Sequence, residues 1–225
     1  ARRTLDERDS LMEELGLGDD DVRRAWGYVA RANLHRYQWE FDATRRWARL
    51  VSDANALSGE PVRAEALFCL AHAARQDGHM VEAEATGRHA REIFCAHGDS
   101  AGVARTDLLL AITLRERGDL GGALVLYEQA LAEFAAMGDE ASVGACQMGI
   151  GNLHRQRKDL TQARTFYGRA RGAFEHTANR NDLAKVINGL AELDRYEGDL
   201  TAAEAGYRQA AALFEAVASG QVMVV

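Results

Sequence analysis

The sequence has very little proline and lysine. Pro61 is its only proline, and Lys158 and Lys185 are its only lysines. So few prolines leave little room for a loop-rich or disordered architecture. The strong preference for arginine over lysine is typical of GC-rich genomes and indicates a bacterial source.

Long apolar runs are also missing. No segment approaches the ~20 apolar residues that a membrane-spanning helix needs, and no signal peptide is visible at Ala1. The composition, 47% apolar and 27% charged, fits a folded, soluble chain. We therefore expect a cytoplasmic protein with no membrane partner.

Metal-binding and disulfide patterns are absent. Cys69, Cys95 and Cys146 are odd in number and show no CxxC spacing, which predicts small buried side chains in a reducing compartment. The seven histidines are scattered and have no neighbours at metal-ligand spacing. The acidic run at residues 19–21 lacks the spacing of a calcium loop and is better explained as the start of a helix. No metal or other cofactor is expected.

Catalytic and nucleic-acid signatures are lacking too. The chain contains no HExxH, G-x4-GK[ST], GxGxxG or GxSxG motif, and its carboxylates do not form a convincing buried pair. Its net charge of −7 disfavours contacts with phosphate backbones. The sequence therefore predicts neither an enzyme nor a nucleic-acid-binding region.

A repeat of 40 residues runs through the whole chain. The period is kept without insertion or deletion at several positions. Three of them are an alanine position, a phenylalanine position and a turn position. These are Ala43, Ala83, Ala123, Ala163 and Ala203; Phe94, Phe134, Phe174 and Phe214; and Gly78, Gly118, Lys158 and Gly198. Periods of this length are typical of helical solenoids.

Each repeat is predicted to contain two helices. Apolar or small residues recur at helical spacing in both halves. The glycine of the turn series can end the first helix in a left-handed conformation, and Asp119, Asp159 and Asp199 follow it where an N-cap belongs. Lys158 takes the glycine's place once, which predicts a strained or differently built turn.

The small and aromatic positions of the second helix have a packing role. Ala123, Ala163 and Ala203 occur where two helices of a repeat would cross closely. Tyr127, Tyr167 and Tyr207 follow four residues later, on the same helix face. We expect these rings to fill the space between neighbouring helices.

These residues resemble the tetratricopeptide repeat (TPR), whose signature is W-x2-L-G-x2-Y, then A-x3-F, then A. The matching segments cover nearly the whole chain. They are Ile150-Gly151-x2-His154 with Ala163-x3-Tyr167 and Ala170; Leu110-Ala111-x2-Leu114 with Ala123-x3-Tyr127 and Ala130; Leu190-Ala191 with Ala203-x3-Tyr207 and Ala210; Leu70-Ala71 with Ala83 and Ala90; and Trp26-x2-Val29-Ala30 with Ala43-x3-Trp47. Gly87 replaces the aromatic once, and the first helix of the first repeat is one residue out of register.

The resemblance implies an all-α fold, a right-handed α-solenoid (superhelix) of antiparallel helix pairs. A 40-residue period, rather than 34, is similar to the kinesin-light-chain-like subclass, which also occurs in bacterial signalling proteins. We expect one array over residues 1–225. Its parts are an unpaired second helix at 1–17, helix pairs at 20–58, 60–98, 100–138, 140–178 and 180–218, and the start of a further repeat at 219–225.

In this family, the first helices line the concave groove, so the resemblance places a ligand there. The 100° step per residue selects one stripe along the first helices. In each of four repeats, the last residue of the stripe is an arginine. The stripe consists of Phe68, His72, Arg75, Leu108, Ile112, Arg115, Met148, Asn152, Arg155, Asn188, Glu192 and Arg195. His35 takes the arginine's slot in the first repeat. The apolar members favour a peptide or helix ligand, and the arginines favour an acidic one.

The leading hypothesis is a protein- or peptide-binding scaffold or sensor module of a larger bacterial regulatory protein. The alternative is a module for self-association, through ends that lack a polar cap, or for packing within a larger chain without a separate ligand.

Overall fold

The structure is a computed structural model that describes residues 2–18 and 21–219. These residues contain eleven α-helices, one short 3-10 helix and no β-strand. The α-helices are α1 (Arg2–Glu14), α2 (Val22–Tyr37), α3 (Phe41–Ser52), α4 (Pro61–Gln76), α5 (Met80–Ala96), α6 (Ser100–Arg117), α7 (Leu120–Met137), α8 (Glu140–Gln156), α9 (Leu160–His176), α10 (Arg180–Glu197) and α11 (Leu200–Ala218). The 3-10 helix, Asn55–Leu57, lies between α3 and α4. The predicted all-α fold is confirmed.

The chain divides into two compact units. The first spans residues 1–119 and the second spans residues 120–225. The division falls at the turn inside the predicted pair 100–138, so α6 belongs to the first unit and α7 to the second. The expectation of one array over 1–225 stays a prediction. Its last part, from residue 220 onward, lies outside the described residues, as do Asp19 and Asp20.

Within each unit, helices pack in pairs along the chain. In the first unit α2 packs with α3 and α4 with α5, and in the second α8 packs with α9 and α10 with α11. The first helices of successive pairs also contact one another: α2 contacts α4, α4 contacts α6, and α8 contacts α10. Among the described residues, the second helices of successive pairs, α3 with α5 and α9 with α11, contact each other less than the first helices do. The first helices therefore lie on the inner side of each unit.

The turns between helices adopt the left-handed conformation that the repeat predicts. Gly78, Gly118 and Gly198 have φ values of 82°, 91° and 89°. Lys158 adopts φ 62° at the equivalent position, so this turn keeps its geometry at the cost of strain in a non-glycine residue. Asp159 accepts a hydrogen bond from the amide of Gln162 at 3.1 Å, which confirms the predicted N-cap.

Alanines and aromatic rings form the core of each unit, as the repeat predicts. The side chains of Ala123, Ala163, Tyr127 and Tyr167 are fully or almost fully buried. Tyr207, which follows Ala203 in the last described pair, is only half-buried. The rings thus fill the spaces between helices where a further helix packs on them.

Glycines on the first helices make room for these rings. A Cβ atom on Gly149 would stand 2.3 Å from the Tyr127 ring, and one on Gly151 would stand 2.7 Å from the Tyr167 ring. At Gly87, which replaces the aromatic in the second repeat, the side chain of Leu110 occupies the space instead. The side chain of Leu110 on the neighbouring first helix therefore lies where the aromatic ring would stand in other repeats.

Candidate functional site

The predicted stripe lies on α4, α6, α8 and α10, and the structure divides it between the two units. We call the surface formed by the first helices of one unit its first-helix face. Of the stripe residues, Phe68 is buried, Asn188 and Arg195 are exposed, and the others are half-buried. Each unit therefore presents its own part of the stripe, and the two parts differ in how their polar groups are satisfied.

Arg75 and Arg115 converge on one carboxylate in the first unit. Nη1 of Arg75 lies 3.2 Å from Oε1 of Glu116, and Nη2 of Arg115 lies 3.5 Å from the same oxygen. The arginine side chains are only 13% and 16% exposed. Glu116 thus holds two guanidinium groups of successive first helices against each other, and it can neutralise only one of them.

His72 lies beside this cluster as a neutral imidazole. Burial, together with the nearby cations Arg36 and Arg75, lowers the pKa of His72 to about 3. Its ring lies 6.0 Å from that of Phe41, centroid to centroid. A neutral histidine between two arginines can offer a hydrogen bond without adding positive charge.

Three buried polar atoms of this cluster have no hydrogen-bond partner among the described residues. They are Nδ1 of His72, Nε of Arg75 and Nε of Arg115. Leaving a buried donor unsatisfied costs about 1–3 kcal/mol, and more for a charged group. Such groups are rarely left without a partner in native proteins. Their coincidence on one face makes this face the candidate site.

Arg36 is a member of this face that the repeat pattern missed. Its guanidinium stacks over the rings of Tyr37 and Phe68, 4.3 and 5.5 Å from their centroids. It donates to Oδ1 of Asn33 and forms no ion pair among the described residues. His35, which the pattern placed in the arginine slot, pairs with Glu40 instead. The one-residue shift of register in the first repeat explains the error.

The apolar members of the stripe have two different roles. Phe68 is 7% exposed, because Arg36 stacks over its ring from one helix and Arg105 from another, at 5.5 and 5.4 Å. Leu108 and Ile112 on α6 remain half-buried. Phe68 therefore supports the arginines, while Leu108 and Ile112 are the apolar residues that a ligand can reach.

In the second unit, the predicted polar residues bind one another. The Tyr167 hydroxyl donates to Oδ1 of Asn152 at 2.7 Å and accepts from Nε of Arg155 at 3.2 Å. Nη1 of Arg155 lies 2.7 Å from Oε2 of Glu192. The Tyr167 hydroxyl was not predicted as part of the site, because the repeat marks this residue as a core ring. This network leaves fewer free groups for a ligand than the first unit does.

The remaining stripe residues of the second unit are spread along α8 and α10. Met148 is half-buried, and Asn188 is exposed. The Arg195 guanidinium lies 4.7 Å from the centroid of the Tyr196 ring. Arg155 and Tyr196 also line a cavity of about 470 Å³ together with Lys158. The exposed part of this face is thus more aromatic and basic than the stripe alone predicts.

The described residues show no metal centre and no membrane-spanning helix. None of their His, Cys, Asp and Glu side chains form a group of three or more that could hold a metal ion. Across residues 2–18 and 21–219, no helix is long and apolar enough to cross a bilayer. Cys69 and Cys146 are buried, as expected, whereas Cys95 is exposed, so the prediction of a buried side chain is wrong there.

Comparisons with known proteins identify the fold but no sequence family. No protein-family model matches the chain, and no curated protein matches it. Solved structures do match. BtubC (BKLC) from P. vanneervenii superposes with a TM-score of 0.72 at 19% identity, over 96% of this chain and 89% of that one.

Two further structures extend this similarity. A Rap protein in complex with competence and sporulation factor gives a TM-score of 0.77 at 17% identity, over 95% of this chain and 59% of the Rap chain. A kinesin-light-chain-like protein of Podospora anserina with nearly identical TPR-like repeats gives a TM-score of 0.62 at 17% identity. The match covers 87% of this chain and 96% of that one. The fold is a TPR-like α-solenoid. At such identities, the similarity shows the fold alone.

Proposed function

We propose that this chain is a non-catalytic binding module that holds a protein or peptide segment on the first-helix face of its first unit. The observation that carries the proposal is the set of three buried, unpartnered polar atoms: the Nε–H donors of Arg75 and Arg115, and Nδ1 of His72, which donates or accepts according to its tautomer. A folded chain that leaves these atoms without acceptors loses stability, and a ligand restores the missing hydrogen bonds.

The charges around these donors favour an acidic ligand. Arg75 and Arg115 share one carboxylate, Glu116, Arg36 stacks on Phe68 without an ion pair among the described residues, and His72 is neutral. The excess of positive charge sits on guanidinium groups, whose planar donors suit carboxylates.

The apolar residues next to the donors favour a peptide over a small anion. Leu108 and Ile112 are half-buried on α6, beside the arginine cluster. Interfaces that hold peptides combine apolar anchors with a few polar groups that fix orientation. A segment with an acidic group and an apolar side chain would satisfy both parts of this face.

The setting that we propose is a bacterial regulatory protein of the cytoplasm, with the kinesin-light-chain-like form of the repeat. Support comes from the 40-residue period, the scarcity of lysine and the similarity of fold to the Rap protein, which was solved with competence and sporulation factor. The second unit, in which Asn152 and Tyr167 bind each other, is not part of the proposed site.

A peptide selection tests the proposal. Random dodecapeptides displayed on phage are selected against the chain, and the best binder is measured by calorimetry. Arg75→Gln and Arg115→Gln should each weaken binding about tenfold to a hundredfold, since a hydrogen bond to a charged group contributes roughly 1.5–3 kcal/mol. Arg88→Gln is the matched control, because Arg88 is exposed on α5 and pairs only with Glu84.

Two results would contradict this site. Unchanged affinity in both variants would move the ligand elsewhere on the molecule. A selection that yields no peptide with at least micromolar affinity would argue against peptide binding itself. Circular dichroism of each variant separates lost binding from lost fold.

Self-association is a second candidate, and the last helix favours it. Phe214 on α11 is 38% exposed, whereas its repeat equivalents Phe94, Phe134 and Phe174 are buried. Leu200 and Val217 on the same helix are also exposed. Light scattering over a concentration series tests this candidate, and a strict monomer at high concentration would count against it.

A further inference from the structure

A second cavity lies away from the first-helix face of the first unit. It is lined by residues of α3, α4 and α5 and has a volume of about 490 Å³. It forms where the second helices α3 and α5 diverge, so that α4 is its floor. This volume lies within the range of sites for small molecules, roughly 300–1,000 Å³.

An arginine stands in this cavity where the three following repeats have an apolar residue, although Arg23 lies one period earlier. Arg63 lines the cavity, and the positions one, two and three periods later hold Val103, Val143 and Leu183. Nε of Arg63 is buried and has no hydrogen-bond partner among the described residues. Arg63 also lies in the first turn of α4, where the helix dipole disfavours a cation. The helix dipole therefore does not explain an arginine at this position.

The cavity holds a second cation without a carboxylate partner. Arg49 on α3 lines it and forms no ion pair or side-chain hydrogen bond with any described residue. The acidic groups in the lining have other partners: Asp77 pairs with Arg45, Glu82 lies 3.8 Å from His79, and Asp53 accepts a hydrogen bond from Ser52 at 2.9 Å. None of them forms an ion pair with Arg49 or Arg63 among the described residues, so both guanidinium groups can still pair with an anion.

The floor of the cavity is apolar. Leu67, Leu70 and Ala74 line it from α4. At 100° per residue, the mean direction of these residues and Arg63 around the axis of α4 can be compared with that of the stripe residues on the same helix. The two directions differ by roughly 140°. The cavity and the first-helix face are thus separate surfaces of α4.

We propose that this cavity binds a small molecule that carries an oxyanion, a carboxylate or a phosphate, on an apolar body. The oxyanion accepts from the guanidinium groups of Arg63 and Arg49, which satisfies the buried Nε of Arg63. The apolar body rests on Leu67 and Leu70. This site is independent of peptide binding on the first-helix face, and either can exist without the other.

Titration with phenyl phosphate and with benzoate tests the site. The Nε–Hε signals of arginine are followed in ¹⁵N–¹H correlation spectra of the whole chain, with benzyl alcohol as the uncharged control. The Arg63 Nε–Hε signal should shift with saturation, at a dissociation constant on the order of 1 mM for ligands of about ten heavy atoms. The anion that binds more tightly identifies the preferred group.

Variants decide whether the two arginines carry the binding. Arg63→Val, which installs the residue of the next repeats, and Arg49→Gln should each weaken binding at least about tenfold. The exposed Arg88→Gln should leave it unchanged. Equal affinity in both variants, equal binding of benzyl alcohol, or no saturable shift of Arg63 with either anion up to about 10 mM would overturn the proposal. If Arg63→Val did not fold, Arg49→Gln would still decide.

Discussion

Replacing Gly149 by alanine tests the packing between α7 and α8. Gly149 lies on α8 against the ring of Tyr127 on α7, and an added Cβ would stand 2.3 Å from Cε1 and 2.4 Å from Cζ of that ring. The ring is fully buried, so it cannot turn aside into solvent. The alanine must therefore push the ring or the α8 backbone from its place.

Two opposing effects set the size of the change. Alanine in place of glycine inside a helix stabilises by about 1 kcal/mol, while overpacking of a well-filled core costs about 1–3 kcal/mol. Because the contact is far below van der Waals distance, we take the upper end, which leaves a net loss of about 2 kcal/mol. Gly168→Ala is the matched control, since Gly168 lies inside α9 and its added Cβ would meet nothing within 4 Å. That variant should gain about 1 kcal/mol.

Urea denaturation followed by circular dichroism measures both changes. If the free energy of unfolding depends on urea concentration with the same slope in each protein, the midpoints can be compared directly. The two variants should move the midpoint in opposite directions. Combining Gly149→Ala with Tyr127→Leu should recover part of the loss, because the smaller side chain makes room for the added methyl group. If Gly149→Ala were as stable as Gly168→Ala, the ring would not occupy this space and the described contact would be wrong.

Three further predictions concern single side chains. Tyr167→Phe removes a hydroxyl with two hydrogen-bond partners on α8 and should lower the free energy of unfolding by about 1–3 kcal/mol in the same assay. His72 has a pKa of about 3 when folded and about 6.5 when unfolded, so the unfolded state gains a proton first as the pH falls. Its contribution to stability is complete above about pH 6.5 and decreases towards pH 3, and His72→Gln should flatten that part of the pH–stability curve relative to wild type. Burial raises the pKa of Cys69 and Cys146 to about 12, so only Cys95 should react with a disulfide reagent at pH 8 until urea unfolds the chain, and rapid reaction of all three native thiols would contradict this.

The helical framework could be predicted because the repeat specifies each position separately. The Ala123–Tyr127 spacing and the N-cap at Asp159 depend on contacts within one helix or one turn, and these recur every 40 residues. Lys158 could be flagged as unusual, but only the backbone shows that it keeps the glycine's left-handed conformation. Spacing and capping patterns within one helix or turn are therefore sufficient to predict the helices and their order along the chain.

The chemistry of the candidate site was harder to predict, because it arises between successive helices. Arg75 reaches Glu116, 41 residues later, whereas Arg155 reaches Glu192, 37 residues later. Neither separation equals the period, so aligned repeats do not reveal which charges neutralise each other. The role of Arg63 is hidden for a related reason, since the cavity that it lines also needs residues of α3 and α5.

The separation of two surfaces on α4 has a consequence for how this protein can change. His72 and Arg75 lie on one side of that helix, and Arg63, Leu67 and Leu70 line the cavity on the other. A substitution on one side leaves the contacts of the other intact. Natural variation or protein engineering can therefore alter the specificity of either surface while the second keeps its own, within a single helix of 16 residues.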